Sequence, residues 1–212
     1  LGTDMAINGA VAHAVVHILY KSLLFMGTGA VLYMTGKTKF TELGGLHAKM
    51  PLTFLFTAIG CLSISAAPGF AAYVSKSMII GAGFEAHQYW AAWLLMFGAT
   101  GTFIYNGLKL PYFLFFGTNN CSPDTWQKAA DPTANMVFAM TLGATLCVLV
   151  GVAPGALYGL LPHAVDYTPY TAYHLVETLQ LLGFAALAFC LLKRFIEPVD
   201  RICVDIDWLY RQ

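Results

Sequence analysis

Five long apolar segments dominate this sequence of 212 residues and constrain its fold more than any other feature. They cover residues 5–35, 51–80, 89–116, 135–161 and 171–195. A helix that crosses the hydrocarbon core of a bilayer needs about 20 mostly apolar residues. Helices are expected because backbone groups in lipid must bond within the segment, and the alternating pattern of barrel strands does not occur. The sequence therefore predicts an all-α polytopic membrane protein with about five transmembrane helices, in a single transmembrane domain over residues 1–212.

Composition supports this class and argues against others. Hydrophobic residues make up 58% of the chain and charged residues only 10%, whereas a soluble domain is about 25% charged. The net charge is zero, so no basic surface for nucleic acid is expected. The five cysteines include no C-x-x-C pair, and three lie within apolar segments, which is typical of small hydrophobic residues. No metal site, cofactor, nucleophile–base pair or phosphate loop is predicted, and no catalytic residues are expected.

The distribution of lysine and arginine predicts the orientation of the chain. With five crossings, the loops 35–50 and 117–134 and the C-terminal tail share one side of the membrane. That side carries Lys37, Lys39, Lys49, Lys128, Lys193, Arg194, Arg201 and Arg211, and the opposite side carries none. Cytoplasmic loops of membrane proteins are enriched in these residues. The tail over residues 196–212 is therefore expected to be cytoplasmic, in a protein of the cell inner (plasma) membrane.

Three ionisable side chains lie on one face of the first segment. His13, His17 and Lys21 are four residues apart, so each follows the last by about 40° of rotation and 6 Å of rise. A charge at the centre of a membrane helix costs roughly 2.5–3.5 kcal/mol, which favours a functional role. Because histidine titrates near neutral pH, the stripe is interpreted as a proton relay. Lys21 lies deepest in the membrane and His13 nearest its surface, so loss of Lys21 is expected to reduce transport most and loss of His13 least. Hydrogen bonding to neighbouring helices is the alternative.

The second segment predicts an interrupted helix. It spans 30 residues, about 45 Å as a straight helix, whereas the core of a bilayer is about 30 Å thick. Pro68 removes a backbone donor and Gly69 tolerates unusual dihedral angles, so the break is expected there. Lys76 lies about two turns beyond this break, and secondary transporters place coupling-ion sites at broken helices. The alternative is a proline kink, with Lys76 reaching the outer interface.

Three further side chains are weaker candidates for a proton pathway. Lys109 lies near the predicted cytoplasmic end of its helix, where its side chain would reach the interface. Glu177 lies inside the last segment, with His174 three residues before it on the same helical face. A buried carboxylate at that position would relay protons. A structural role, in which Glu177 pairs with polar groups of neighbouring helices, is an equal alternative.

The sequence contains motifs that resemble those of a known family. The runs H-A-V-V-H-I-L-Y-K, L-G-G-L-H-A-K-M-P and A-A-P-G-F-A-A-Y-V-S-K are similar to the proton-conducting antiporter-like family. This family comprises subunits of Mrp-type cation/proton antiporters and related membrane subunits of NADH-quinone oxidoreductase and membrane-bound hydrogenases. The later runs K-L-P-Y-F-L-F-F-G, V-D-Y-T-P-Y-T and D-I-D-W-L-Y-R resemble the D-type branch of the Mrp antiporter subunits.

The resemblance implies a fold and roles for individual residues. The family fold is two inverted five-helix repeats, each with one interrupted helix, and this chain resembles the later helices of the second repeat. By the resemblance, Lys76 takes the place of the essential lysine on the second interrupted helix. His13, His17 and Lys21 match the central relay of the family. Ser77 replaces the Asp or Glu that often follows that lysine, so a carboxylate partner for Lys76 must come from elsewhere.

Three functions are compatible with these observations. The first is a transport subunit that exchanges protons for a monovalent cation, Na+ or K+, within a multi-subunit Mrp-type antiporter. The second is a membrane-arm proton-pumping subunit of a redox-driven complex, of the NADH-quinone oxidoreductase or membrane-bound hydrogenase type. The third is a structural membrane scaffold. The expected partners are other membrane subunits, including the missing N-terminal repeat, and the chain, which starts at Leu1, is expected to be part of something longer.

Overall fold

Helices make up the fold of residues 2–200, the part of the chain that the computed structural model describes. The α-helices are α1 (Asp4–Thr35), α2 (Pro51–Ile64), α3 (Ala71–Glu85), α4 (Tyr89–Thr102), α5 (Pro123–Lys128), α6 (Ala134–Val152), α7 (Gly155–Tyr158) and α8 (Ala172–Ile196). Two π-helical segments, Phe103–Lys109 and Tyr112–Phe116, continue α4, and two 3-10 turns, Phe40–Glu42 and Leu46–Ala48, lie between α1 and α2. No strand occurs within residues 2–200, which confirms the predicted all-α class.

Three of the described helices, α1, α6 and α8, are long and apolar enough to cross a membrane. The second predicted segment is divided into α2 and α3, and the third is a helical run in which α4 passes into the π-helical segments. The predicted segment 135–161 is too long, because α6 ends at Val152. Pro154 disfavours helical dihedral angles at the residue before it, and Ala153 accordingly has φ −125 and ψ 72. The chain is a polytopic membrane protein, as predicted.

The core lies where α1 packs against α2, α3 and α6. Side chains buried there include Val16, Tyr20, Leu23, Phe56, Ile64, Met140 and Cys147. In lipid, close packing rather than removal of apolar surface from water holds such helices together. The last helix, α8, lies at the edge of the bundle, where Ala185 and Phe189 are its buried residues. It contacts α4 and the first π-helical segment.

The connecting loops meet at opposite ends of the helices, as a five-crossing topology requires. At one end, the Asn8 side chain donates to the His163 carbonyl at 3.0 Å and accepts from the His163 N–H at 3.1 Å. At the other end, the Asp131 carboxylate accepts hydrogen bonds from the Thr53 N–H at 2.9 Å and the Thr53 hydroxyl at 2.8 Å. This carboxylate caps the start of α2 and joins the loop before α2 to the loop before α6.

The predicted cytoplasmic tail is only partly described. Residues 201–212, with Arg201, Arg211 and the run D-I-D-W-L-Y-R, lie outside the described residues. The Lys39 ammonium donates to the Asp200 carboxylate at 3.1 Å, so the start of the tail lies at the same end as the loop before α2. The cytoplasmic location of this end stays a prediction.

Candidate functional site

Lys76 lies beside the break between α2 and α3. Its Nζ atom donates a hydrogen bond to the Ile64 carbonyl oxygen, 2.6 Å away. Ile64 is the last residue of α2, where unpaired carbonyls and the helix dipole concentrate partial negative charge. The half-buried side chain reaches back toward the break, so the alternative in which Lys76 extends to the outer interface is wrong. The interruption therefore provides the ammonium group with an acceptor inside the protein.

The break is an ordered turn in which two residues have a positive φ angle. Three of its N–H groups donate to carbonyls of the last turn of α2, which leaves the Ile64 carbonyl for Lys76. Ala66 adopts the left-handed conformation with φ 58, which is strained for a residue with a Cβ, and Gly69 follows with φ 89. The predicted interruption at Pro68 and Gly69 is confirmed.

Neighbouring elements hold the break in place. The Gly69 N–H donates to the Tyr170 hydroxyl at 3.3 Å, and this hydroxyl donates in turn to the Gly151 carbonyl. Gly151 lies near the end of α6, and a Cβ there would overlap the backbone of Gly69. On another side, Gly107 lets the first π-helical segment approach the Ser65 side chain so closely that a Cβ would overlap its hydroxyl. The shape of the site thus depends on close backbone contacts from two other helical elements.

A cavity of about 60 Å³ opens beside the Lys76 side chain, enough to hold water. Part of its polar lining comes from α8, which contributes His174 and Glu177. Among the described residues no direct ion pair joins Lys76 to Glu177, so the ammonium and the carboxylate share the cavity without direct contact. A carboxylate on α8 thus lines the same cavity as Lys76.

The predicted stripe on α1 meets this site at His13. The Nδ1 atom of His13 lies 2.9 Å from the hydroxyl oxygen of Ser75, the residue before Lys76. Its Nε2 atom lies 3.3 Å from the Tyr20 hydroxyl, and the His17 ring packs edge-on against Tyr20 with ring centroids 5.2 Å apart. Sequence reasoning missed Tyr20 and Ser75. The two-turn spacing between His13 and Tyr20 could have indicated a shared helical face, whereas no local pattern marks Ser75.

Two of the predicted lysines lie away from the cavity. Lys21 is half-buried and makes no hydrogen bond or ion pair within 4.0 Å with any described residue. Lys109 lies on the first π-helical segment, with its Nζ atom 5.2 Å from the centre of the Tyr105 ring. Neither side chain lines the cavity beside Lys76. Of the stripe residues, His13 contacts the residue before Lys76, whereas Lys21 does not.

A bundle of membrane helices with a lysine at an interrupted helix is the arrangement of an antiporter-like subunit. Residues 1–104 match the family model described as NADH:quinone oxidoreductase/Mrp antiporter, TM. This part of the chain belongs to that family, which supports an antiporter-like membrane subunit related to NADH-quinone oxidoreductase. The resemblance inferred from the sequence motifs is confirmed.

Curated relatives of this chain include the Na(+)/H(+) antiporter subunit A1 proteins of Staphylococcus aureus strains JH9 and Newman. Each is 32% identical over 163 residues, which cover 72% of this chain and 20% of the relative. The chain thus spans about a fifth of the length of these relatives. The D-type branch expected from the sequence motifs is not confirmed, because these relatives are A1 subunits.

Two solved structures share the fold. A chain of the membrane-bound sulfane sulfur reductase, an archaeal respiratory membrane complex, is 28% identical with a TM-score of 0.71, and the match covers 96% of this chain and 35% of that chain. A chain of the Mrp complex from Dietzia sp. DQ12-45-1b has a TM-score of 0.74 at 23% identity, over 99% of this chain and 25% of that chain.

Proposed function

We propose that this chain is part of a membrane subunit that exchanges protons for a monovalent cation, Na+ or K+, in a multi-subunit Mrp-type antiporter of the plasma membrane. The observation that carries the proposal is the position of Lys76, bonded to the Ile64 carbonyl beside a cavity that also contains Glu177. A group that carries protons inside a membrane needs an acceptor for its charged form and a base nearby, and this site has both. The similarity to Na(+)/H(+) antiporter subunits supports the substrate class.

Protonation of Lys76 controls the position of its side chain in this proposal. The ammonium group is attracted to the C-terminal end of α2 and donates a charge-assisted hydrogen bond to the Ile64 carbonyl. A neutral amine loses that attraction and is released to turn into the cavity. Loss and gain of a proton thus move the side chain between the break and Glu177. Arginine cannot replace lysine in this role, because its guanidinium does not release a proton.

His13 delivers protons to Lys76 from α1 in the same proposal. The Ser75 hydroxyl bonds to His13 and is adjacent in the chain to Lys76, and a hydroxyl both donates and accepts hydrogen bonds. Either ring nitrogen of His13 can carry the proton, so the histidine passes it on by a change of tautomer. His17 and Lys21 extend the stripe along α1.

Replacement of Lys76 in the complete complex tests this function. We expect Lys76→Ala to abolish cation/proton exchange per assembled complex, and Lys76→Arg to fail as well, because arginine stays charged. The matched control is Lys49→Ala, which removes an exposed lysine that lies over the Trp126 ring at 5.5 Å and should exchange at the wild-type rate. Wild-type exchange in properly assembled Lys76→Ala vesicles would contradict the proposal and favour a structural scaffold.

A second candidate is a proton-pumping subunit of a redox-driven complex. It is favoured by the shared fold and 28% identity with a chain of the archaeal respiratory complex. The Lys76 site would serve that function equally, with the redox chemistry in other subunits. Purification of the intact complex distinguishes the two. Co-purifying iron–sulfur subunits and proton flux that needs an electron donor favour the redox-driven complex, whereas proton flux driven by a Na+ or K+ gradient favours the antiporter.

A further inference from the structure

The first turns of α8 carry two titratable side chains that line the cavity beside Lys76. These are His174 and Glu177, which lie three residues apart on one helical face. Thr171 caps the helix, since its hydroxyl oxygen accepts a hydrogen bond from the His174 N–H at 3.2 Å. The cavity therefore borders the segment of α8 that directly follows the loop 162–170.

Tyr167, in that loop, extends this group toward the end of the protein. Its hydroxyl oxygen lies 3.4 Å from His174 Nδ1, and the two ring centroids are 5.6 Å apart. Burial raises the pKa of Tyr167, so its hydroxyl stays protonated at neutral pH and both donates and accepts hydrogen bonds. We call Glu177, His174 and Tyr167 the His174 cluster.

We propose that the His174 cluster is the route by which Lys76 exchanges protons with the aqueous side that the loop 162–170 faces. The inference rests on the proposed role of Lys76 as a proton carrier and adds the residues that connect it to one side of the membrane. From α1, His13 contacts Ser75, the residue before Lys76, whereas the cluster borders the cavity beside Lys76 from α8. The lysine thus lies between two sets of proton-carrying groups on different helices.

Each step of the route moves one proton and needs no other reactant. An N–H bond of the Lys76 ammonium breaks, and an O–H bond forms on the Glu177 carboxylate, through water in the cavity. Glu177 then protonates the unprotonated ring nitrogen of His174, which releases its Nδ1 proton to the Tyr167 hydroxyl. Tyr167 gives its own hydroxyl proton to water. The reverse sequence reloads Lys76.

Other titratable groups that face the cluster come from α3 and α7, and Tyr158 of α7 is close enough to Tyr167 to interact electrostatically. Tyr73 is close enough to Glu177, and Glu85 to Tyr167, for each pair to interact electrostatically. The Tyr73 hydroxyl donates to a backbone carbonyl of the loop at 3.0 Å, so its proton is already engaged. Among the described residues that line the cavity, Lys76 is the single basic amine and Glu177 the single carboxylate. Proton transfer across the cavity therefore runs between these two groups.

Substitutions in the complete complex test the route, with pH set separately on the two sides of sealed vesicles. We expect Glu177→Gln and His174→Gln each to lower exchange per assembled complex by about 100-fold, a usual loss on removal of a proton-transfer group. Glu177→Asp should restore part of the rate, because it keeps a carboxylate. Gln180→Ala is the matched control, since Gln180 is an exposed residue of the same helix that does not line the cavity.

The pH dependence separates proton transfer from a structural role. The His174 ring contacts Tyr167 of the loop, so His174→Gln should alter the dependence of exchange on the pH of the side that the loop 162–170 faces, and not on the opposite side. Wild-type rates and pH profiles in both Gln variants, with Lys76→Ala inactive, would overturn the route and leave the proposed function standing. An active Lys76→Ala would overturn both. Loss of assembled complex with unchanged exchange per complex would show a structural role and overturn the route.

Discussion

The Nζ atom of Lys76 lies 2.6 Å from the carbonyl oxygen of Ile64, so one side chain bridges the two halves of an interrupted helix. The position of the charge and the shape of the break therefore depend on each other. Without this carbonyl, the ammonium group would be buried with no hydrogen-bond acceptor, and without the ammonium group the carbonyl would be an unpaired acceptor.

Lys76→Ala should assemble normally although it removes this hydrogen bond. An unpaired buried carbonyl costs about 1–3 kcal/mol, whereas removal of a charge from a membrane helix regains roughly 2.5–3.5 kcal/mol. The two effects nearly cancel, so the thermal unfolding temperature of the purified complex should change little while exchange is lost. A large fall in the amount of assembled complex would mean that Lys76 is mainly a structural group.

His13→Ala should reduce exchange more than Lys21→Ala. Depth in the membrane predicts the opposite order, but His13 contacts Ser75 beside Lys76, whereas Lys21 bonds to no described residue. The measurement is exchange per assembled complex against pH, with Ser75→Ala expected to resemble His13→Ala in rate. A larger loss in Lys21→Ala would favour the order predicted from depth.

Tyr167→Phe should lower exchange without shifting its pH profile. Burial raises the pKa of Tyr167 above its ordinary value of 10.0, so the hydroxyl is already protonated at neutral pH and does not titrate there. The substitution removes a proton-passing group but no charge, in contrast to His174→Gln. Tyr173→Phe is the matched control, because Tyr173 is an exposed tyrosine on α8. Equal rates in the two Phe variants would exclude the Tyr167 hydroxyl from the route.

Gly151→Ala should destabilise the protein by about 1–3 kcal/mol, the usual cost of an added methyl group in a tightly packed position. The new Cβ would overlap the backbone of Gly69 and push α6 away from the break. Gly98→Ala is the control, since a Cβ at this helical position meets open space and should be neutral or slightly stabilising. Thermal unfolding of both variants in the same detergent gives the comparison. Equal unfolding temperatures would contradict the close contact.

The loop 162–170 should face the outside of the cell and the loop before α2 the cytoplasm. This expectation follows from the basic residues of the loops and tail, which the predicted topology assigns to the side of the membrane that includes Lys39. In a variant without reactive native cysteines, Asp166→Cys should react with a membrane-impermeant thiol reagent in intact cells. Lys39→Cys should react only after permeabilisation, although its side chain is exposed in the structure. Labelling of residue 39 in intact cells would reverse the orientation.

Local sequence determines the helices, the break and the candidate lysines. Apolar length predicts most helices to within a few residues, because a membrane helix must satisfy its own backbone hydrogen bonds. Pro68 and Gly69 mark the break since their effect on the backbone is local. The fourth predicted segment ends early for an equally local reason, the restriction that Pro154 places on the residue before it. No local sequence feature predicts the π-helical segments after α4. Gly107, in the first of them, packs closely against Ser65 at the break.

Only the tertiary structure decides which side chains share the site. The spacing of His174 and Glu177 predicts that they lie on one face of α8, but not that this face meets Lys76. Likewise, the stripe on α1 is visible in the sequence, yet the packing of α1 against α3 determines that His13 rather than Lys21 contacts Ser75. Periodicity fixes positions within one helix, whereas contacts between helices depend on how closely their backbones approach.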